Sequence, residues 1–267
     1  NQLDLYSSRM VDGTWQPAEP IETLNTGADE VGLVLAPGGD RLYFYSNRPG
    51  GHGGYDLYVS QRQGGGWATP RNLGPSVNTA SDEFDPAISR DGLELFFASD
   101  RATVEPSDVP RWATTLRARP ELVDFDLYRS TRTDAAEPWQ PALPLSALNR
   151  RGSHEGAPFI SPDGAFLYFA TNRPTGDGEP ANLDLYRARR RGQGFDPPRN
   201  LGPAINSAAH ETEPALAAEG FQLVFASNRD GRDRLYQSVA REVEVEHSWS
   251  TSHLDGLAGI WSRALLI

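Results

Sequence analysis

The sequence repeats one unit four times in the same order, and a fifth time in part. Each full copy has a glutamate, a short apolar run, a turn that contains glycine, an aromatic run and an arginine. Short apolar runs that recur at such a period are typical of a β-propeller, with one unit per blade. We therefore predict an all-β fold, a β-propeller of four-stranded antiparallel blades. The corresponding glutamates lie 53, 72 and 56 residues apart, at Glu30, Glu83, Glu155 and Glu211.

Each unit divides into four strand-like runs. Asp91-Gly92 and Asp163-Gly164 separate the first two runs, and such residue pairs favour two-residue hairpin turns. The fourth run begins at an aromatic residue and contains proline, which suits an outermost strand because one of its edges is free. The second run is aromatic, at residues 42–45, 95–97, 167–169 and 223–225. The third run carries Asp-Leu-Tyr, at residues 4–6, 56–58, 126–128 and 184–186.

The repeat also predicts how the ring closes. The chain begins inside a blade, so we expect a single domain over residues 1–267 with five blades, one of them composite. Closure is favoured because unpaired strand edges promote aggregation. The alternative is that residues 250–267 form a tail rather than closing strands. The expected division is a composite blade from residues 1–28 and the C-terminal part, with further blades at about 29–81, 82–153, 154–209 and 210–249.

Composition excludes several classes of function. The net charge of −11 argues against nucleic acid as a partner, because phosphates require a positive face. All 25 basic side chains are arginine, which excludes lysine chemistry, and the lack of cysteine excludes a thiol nucleophile and a disulfide. No apolar run approaches the roughly 20 residues of a membrane span. We expect no transmembrane segment in this chain, and we expect any secretion signal to be missing from the sequence.

Several motifs in the repeat resemble those of a known family. The residues from Ser46 to Tyr58, followed by Trp67, Asn72 and Asn78, are similar to the WD-like propeller repeats of TolB. They are closer still to the repeats of OmpA-linked envelope lipoproteins of bacteria, and the likeness covers about residues 1 to 240. The resemblance implies a propeller in an extracytoplasmic setting, which is the periplasm, the outer membrane or the medium. It also implies an interaction platform, although function inferred from fold is analogy.

Arginines that end second strands and aspartates that begin third strands form the first set of candidate site residues. An antiparallel hairpin brings these ends together, and a guanidinium can bind a carboxylate through two hydrogen bonds. Because the arrangement recurs in every blade, we interpret it as structural rather than as a ligand site. The predicted ion pairs are Arg48 with Asp56, Arg101 with Asp126, and Arg173 with Asp184.

The repeated glutamates form the second set, and each is expected just before an innermost strand, at one mouth of the central channel. There they could bind a ligand or a hard cation such as Ca²⁺ through oxygen atoms, although no particular metal is predicted. Two alternatives remain open, namely that they fix loops by accepting backbone N–H groups, or that they act in catalysis. The channel-mouth candidates are Glu30, Glu83, Glu155 and Glu211, with His154 and His210 beside two of them.

An insertion that is specific to one copy forms the third set. It lies between Arg101 and Asp126, and it contains arginine and tryptophan, which are frequent at binding hot spots. The alternative is a loop without a binding role. The candidate partner-binding residues are Arg111, Trp112, Arg117 and Arg119.

These observations favour a non-catalytic, envelope-associated or secreted bacterial β-propeller that binds a protein or an envelope polymer and needs no cofactor. The sequence has no Gly-x-Ser-x-Gly nucleophile motif. The alternative function is a carbohydrate-active enzyme that uses the channel-mouth carboxylates. Such an enzyme needs an acid and a base in unlike surroundings, whereas these acids are repeated alike. A third hypothesis is a propeller that a cation stabilises.

Overall fold

The computed structural model describes residues 3–101, 124–174, 182–217 and 222–239, together with the backbone of 241–243 and 264–266. Every regular element in this part of the chain is a β-strand, and the strands form the antiparallel sheets of a β-propeller. The all-β prediction is therefore confirmed. None of the described residues belongs to a helix long and apolar enough to cross a membrane.

The N-terminal segment forms two short strand pairs. Strand β1 (Tyr6–Ser7) pairs with β4 (Glu19–Pro20), and β2 (Met10–Val11) pairs with β3 (Thr14–Trp15). Blade one follows, with β5 (Glu30–Leu35), β6 (Arg41–Ser46), β7 (Asp56–Gln63), β8 (Gly66–Trp67) and β9 (Arg71–Asn72). Blade two has β10 (Glu83–Ile88), β11 (Glu94–Ser99), β12 (Asp126–Thr131) and β13 (Leu143–Pro144).

The next two blades repeat this order. Blade three has β14 (Glu155–Ile160), β15 (Phe166–Thr171), β16 (Asp184–Arg191), β17 (Gly194–Phe195) and β18 (Arg199–Asn200). Blade four has β19 (Glu211–Ala217), β20 (Gln222–Ser227) and β21 (Arg234–Val239). The outer strands are short, as expected for segments that contain proline and border a free edge.

The innermost strands β5, β10, β14 and β19 lie next to one another in chain order, which is the radial arrangement of a propeller. Aromatic second strands fill the space between blades, and Phe44, Phe96, Phe97 and Phe169 are fully buried. Rings also meet across the seam between blades one and two, where the centroids of Tyr45 and Phe84 are 5.2 Å apart. The aromatic runs of the sequence therefore supply the apolar core of the fold.

Each innermost strand carries a β-bulge at the same place. The pairing register shifts within the first strand of all four blades, and the backbone at the bulge has a positive φ. Such a conformation suits glycine, which stands there only in blade one. The bulge residues are Gly32 (φ 63°), Asp85 (φ 49°), Ala157 (φ 47°) and Glu213 (φ 53°).

Core-type residues are exposed at both ends of the described blades. Leu235 of blade four is 75% exposed, whereas Leu127 and Leu185 at the corresponding positions are fully buried. At the other end Trp15 is 65% exposed, whereas its counterpart Trp139 is 6% exposed. Strand β22 (Arg241–Val243) pairs with β23 (Ala264–Leu266). Because residues 244–263 lie outside the described ranges, closure by a composite fifth blade stays a prediction.

Candidate functional site

The repeated glutamate is the first residue of the innermost strand, rather than a loop residue at an open channel mouth. In blade two Glu83 is fully buried and lies opposite Ser99, the last residue of β11. Its Oε1 accepts hydrogen bonds from Thr79 Oγ1 (2.7 Å), Ser99 Oγ (3.1 Å) and Arg101 Nη2 (2.9 Å). Its Oε2 accepts the Thr79 backbone N–H at 3.0 Å. Both carboxylate oxygens are thus hydrogen-bonded inside the protein.

The arginine completes this unit, which we call the Glu–Arg cluster. Arg101 Nη2 also donates to the Val77 carbonyl at 2.6 Å, and its guanidinium lies over the rings of Phe97 and Tyr128. Charge-assisted bonds and aromatic faces together hold this partly buried cation. The same cluster occurs in all four blades, with Nη2 to Oε1 distances of 3.0 Å for Arg48–Glu30, 2.9 Å for Arg101–Glu83, 2.9 Å for Arg173–Glu155 and 3.0 Å for Arg229–Glu211.

The predicted pairing of these arginines with aspartates is wrong, because the partner is glutamate. The last residue of β6, Ser46, has Glu30 opposite it in β5 and Asp56 opposite it in β7. Arg48 turns toward the β5 side, where a carbonyl and a carboxylate both accept its protons. Asp56 instead accepts a hydrogen bond from Asn72 at 2.9 Å.

The other two predicted pairs show the same difference. Asp184 accepts a hydrogen bond from Asn200 at 2.8 Å, while Arg173 binds Glu155. In blade two Arg101 binds Glu83, and burial raises the pKa of Asp126 to about 6. The geometric argument from hairpin ends therefore identified the right arginines but the wrong neighbouring strand.

Burial also sets the electrostatics of two clusters. Burial raises the pKa of Glu83 to about 7, and hydrogen bonds from Thr79 and the charge of Arg101 only partly oppose it. Burial likewise raises the pKa of Glu155 to about 7. A raised carboxyl pKa is a mark of catalytic acids when the group lies in a cleft. Here both side chains are fully buried, so the raised pKa indicates a desolvated structural group.

The two histidines take part in the same repeated loop. Asp82, which precedes Glu83, accepts the backbone N–H of Tyr55 at 2.7 Å. His210 has the corresponding role, because its Nδ1 accepts the N–H of Leu183 at 3.1 Å. His154 is buried, its Nδ1 has no hydrogen-bond partner among the described residues, and burial lowers its pKa to about 4. Within the described ranges, no group of three or more His, Cys, Asp or Glu side chains could hold a metal ion.

The predicted partner-binding loop cannot be placed in the structure. Residues 102–123 lie outside the described ranges, and with them all four candidates of this set. That assignment therefore stays a prediction. Its residues are Arg111, Trp112, Arg117 and Arg119.

Sequence reasoning missed a set of residues on the innermost strands. Asp85 and Glu213 have side chains at bulge positions where φ is positive, a conformation that is costly for residues other than glycine. The Oδ2 atom of Asp85 accepts the Ala157 N–H at 3.2 Å and so joins blades two and three. The signal that could have found this position is that the same place in the repeat holds a different residue in every blade.

Sequence reasoning also missed a cavity of about 430 Å³ between blades one and two. We call it the seam cleft. Blade one contributes residues of β6, β7 and β9, and blade two contributes residues between positions 132 and 139. None of the candidate residues predicted from the sequence lines it. Its basic lining residues are Arg41, Arg71 and Arg132.

Comparisons with known proteins establish the fold. No protein-family model matches the chain, and no curated protein matches it. A putative TolB from Agrobacterium tumefaciens is similar in structure, with a TM-score of 0.55 and 18% identity over 88% of this chain and 70% of that chain. A Mycobacterium tuberculosis puromycin-hydrolyzing peptidase has a TM-score of 0.50 and 15% identity over 86% of this chain and 36% of that chain. The fold is thus a TolB-like β-propeller, and at such identities the likeness concerns the fold alone.

Proposed function

We propose that this protein is a non-catalytic binding platform, located outside the cytoplasm, whose partner is another protein or a polymer of the cell envelope. Two lines of argument support the proposal. The repeat motifs resemble those of envelope propellers, and the fold is that of a TolB-like propeller. The acidic composition argues against nucleic acid as the partner.

The observation that carries the proposal is the state of the repeated glutamates. They are the acids that an enzyme on this repeat would use, yet each is buried and bound to an arginine and a hydroxyl group. A glycosidase needs two accessible carboxyl groups in unlike surroundings. Four closely similar clusters with buried glutamates instead suit a rigid scaffold that presents variable loops.

The insertion of blade two is the proposed contact surface. It is specific to one blade, and its Arg111 and Trp112 are residue types that dominate binding energy at interfaces. Residues 110–120 of the insertion include three arginines and no acidic residue, so this stretch favours acidic partner surfaces through local attraction on a protein of net charge −11.

Co-sedimentation and cross-linking test the proposal. The purified chain is incubated with peptidoglycan sacculi, and a photo-reactive residue at position 112 is used in parallel to capture protein partners in envelope fractions. The double variant Arg111→Ala/Trp112→Ala should weaken binding by about tenfold or more, as expected for hot-spot residues. The control is Arg90→Ala/Leu143→Ala, which removes an exposed arginine and an exposed large apolar side chain of blade two outside the insertion.

A screen for hydrolysis of oligosaccharides gives the opposing outcome. Turnover of any glycan that is lost on Glu83→Gln, in a variant that still melts cooperatively, would contradict the binding platform and support the carbohydrate-active alternative. Equal binding by the loop variant and its control would instead show that the contact lies elsewhere and would remove the loop from the proposal.

A further inference from the structure

Two arginines at corresponding places in blades two and three have different surroundings. Arg132 directly follows β12 and Arg190 lies near the end of β16, and their Nε atoms donate to the carbonyls of Gly92 and Gly164, both at 2.8 Å. Their guanidinium groups lie over the rings of Trp139 (4.2 Å) and Phe195 (5.1 Å). The two arginines make the same contacts within their own blades. Their remaining guanidinium nitrogens therefore differ only in what the neighbouring blade offers them as a hydrogen-bond acceptor.

At the seam between blades two and three, the charge of the arginine is paired with an acidic residue of the neighbouring blade. Arg190 donates two hydrogen bonds to Glu94 of blade two, at 3.1 and 2.6 Å. Arg129 donates to the Gln193 carbonyl at 2.7 Å and so bridges the same seam. The rings of Phe96 and Phe195 meet with centroids 6.2 Å apart. This seam is closed by charge pairing, a backbone contact and aromatic packing.

At the seam between blades one and two, an arginine stands at the position that corresponds to Glu94. Arg41 begins β6 where Glu94 begins β11, so the cavity that Arg132 lines has an arginine at the place of the acidic acceptor. Val59 stands in β7 at the place of Arg129 in β12, which removes the bridging donor. Arg132 Nη2 donates a long hydrogen bond, 3.4 Å, to the Tyr43 hydroxyl of blade one. This seam keeps a backbone contact, from Ala142 N–H to the Ser76 carbonyl at 2.9 Å, and aromatic packing, but it lacks the arginine–glutamate pair of the next seam.

The seam cleft combines basic groups with an apolar floor. Arg71 is exposed, and its side chain makes no hydrogen bond or ion pair to any residue in the described ranges. Arg41 has one acidic neighbour, Asp40 at 3.9 Å, whose side chain is 66% exposed to solvent. Glu137 is the acidic residue of the lining, and it is also exposed. The apolar walls are Tyr43, Val59, Leu73 and Trp139.

We propose that the seam cleft binds a small oxyanion ligand, a carboxylate or a phosphate carried on a polar body the size of a monosaccharide. Guanidinium groups bind both oxyanions through paired hydrogen bonds, and three of them line one cavity. A volume of about 430 Å³ lies within the range of small-molecule sites. The proposal is independent of the platform function, because a binding module and an enzyme could both use such a site.

Isothermal titration calorimetry with defined probes tests the site. Glucose 6-phosphate represents the phosphate source, glucuronate represents the carboxylate source, and glucose is the neutral control. One or both anionic probes should bind saturably with a 1:1 stoichiometry, and glucose should not bind. The probe that binds more tightly identifies the preferred oxyanion.

Three variants locate the binding. Arg71→Gln should weaken binding by about tenfold or more, because each charge-assisted bond contributes substantially. Arg41→Glu places an acidic residue in the cleft, as Glu94 is placed at the next seam, and should abolish binding. The matched control is Arg199→Gln, which alters the exposed counterpart of Arg71 at the start of β18 in blade three and should leave affinity unchanged.

Three results would overturn the proposal. The first is the lack of binding of both anionic probes at millimolar concentration. The second is binding that Arg71→Gln and Arg41→Glu leave unchanged while the variants remain folded by circular dichroism. The third is saturable binding of an oligo-glutamate peptide at the cleft with no binding of either small probe, which would assign the cleft to a protein partner.

Discussion

The Glu–Arg clusters and the seam cleft both gather charged side chains, but they differ in how often they occur. The clusters recur in four blades with nearly the same distances, and their glutamates are buried. The cleft lies at the seam between blades one and two, and its arginines keep hydrogen-bonding capacity toward solvent. Because a repeated polar contact serves every blade equally, it indicates stability. A polar group that breaks the repeat is a better candidate for function.

The largest expected effect is the removal of a cluster carboxylate. Glu83→Ala should lower the free energy of unfolding by about 2–4 kcal/mol, because the partly buried Arg101 and the hydroxyl groups of Thr79 and Ser99 would lose their acceptor. Chemical denaturation followed by tryptophan fluorescence measures the loss. Glu19→Ala, at an exposed glutamate of β4, is the control and should change stability by less than about 0.5 kcal/mol. A similar small loss for Glu83→Ala would contradict the structural role of the clusters.

The clusters should also make stability depend on pH. Burial raises the pKa of Glu83 from 4.5 to about 7 in the folded protein, so between these values the folded state holds the extra proton. The free energy of unfolding therefore falls as pH rises through this window, by up to about 1.4 kcal/mol per pH unit for one such group. Above the folded pKa the loss is complete, and below 4.5 it is absent.

Comparison of the wild type with Glu83→Gln isolates this effect. The variant lacks the titrating group, so its stability should vary less between pH 5 and 7.5 in parallel denaturation curves. His154 works in the opposite direction, because burial lowers its pKa to about 4, but it is present in both proteins. Parallel pH profiles for the two proteins would contradict the raised pKa of Glu83.

A smaller effect should follow when the seam between blades two and three is given an arginine where it now has Glu94, as in the seam between blades one and two. Glu94→Arg removes the acceptor of Arg190 and places like charges together, at side chains that are about one fifth exposed. We expect a loss of about 1–3 kcal/mol in the free energy of unfolding. The reciprocal change, Arg41→Glu, should cost less than about 1 kcal/mol, because it creates a partner for Arg132. Equal losses from both changes would remove the contrast between the seams.

The smallest effect is expected in the cleft itself. Arg71→Gln should change the free energy of unfolding by less than about 0.5 kcal/mol, because the side chain is exposed and has no partner in the described part of the chain. The same denaturation assay measures it. A loss above 1 kcal/mol would show that the cleft arginines are structural, like those of the clusters.

Constant spacing was the sequence signal for the true ion pairs. In each blade the arginine follows its glutamate by 18 residues. The distance from arginine to aspartate varies along the chain, as Arg48–Asp56 and Arg101–Asp126 show. A pair that holds one sheet together must keep its spacing, whereas a loop between strands can change in length. The prediction failed because it used proximity at hairpin ends instead of this regularity.

The amino-acid sequence alone determined the class of fold and the residues that recur in it. The period, the turn residues and the aromatic runs depend on local chemistry and on burial, and both can be predicted from the residue types and their spacing. Only the tertiary structure decided which strand Arg48 faces and that Arg41 and Arg132 line the same cleft. Those relations arise between strands and between blades that are far apart in the chain. Their geometry depends on how the sheets pack, which residue spacing within one blade does not specify.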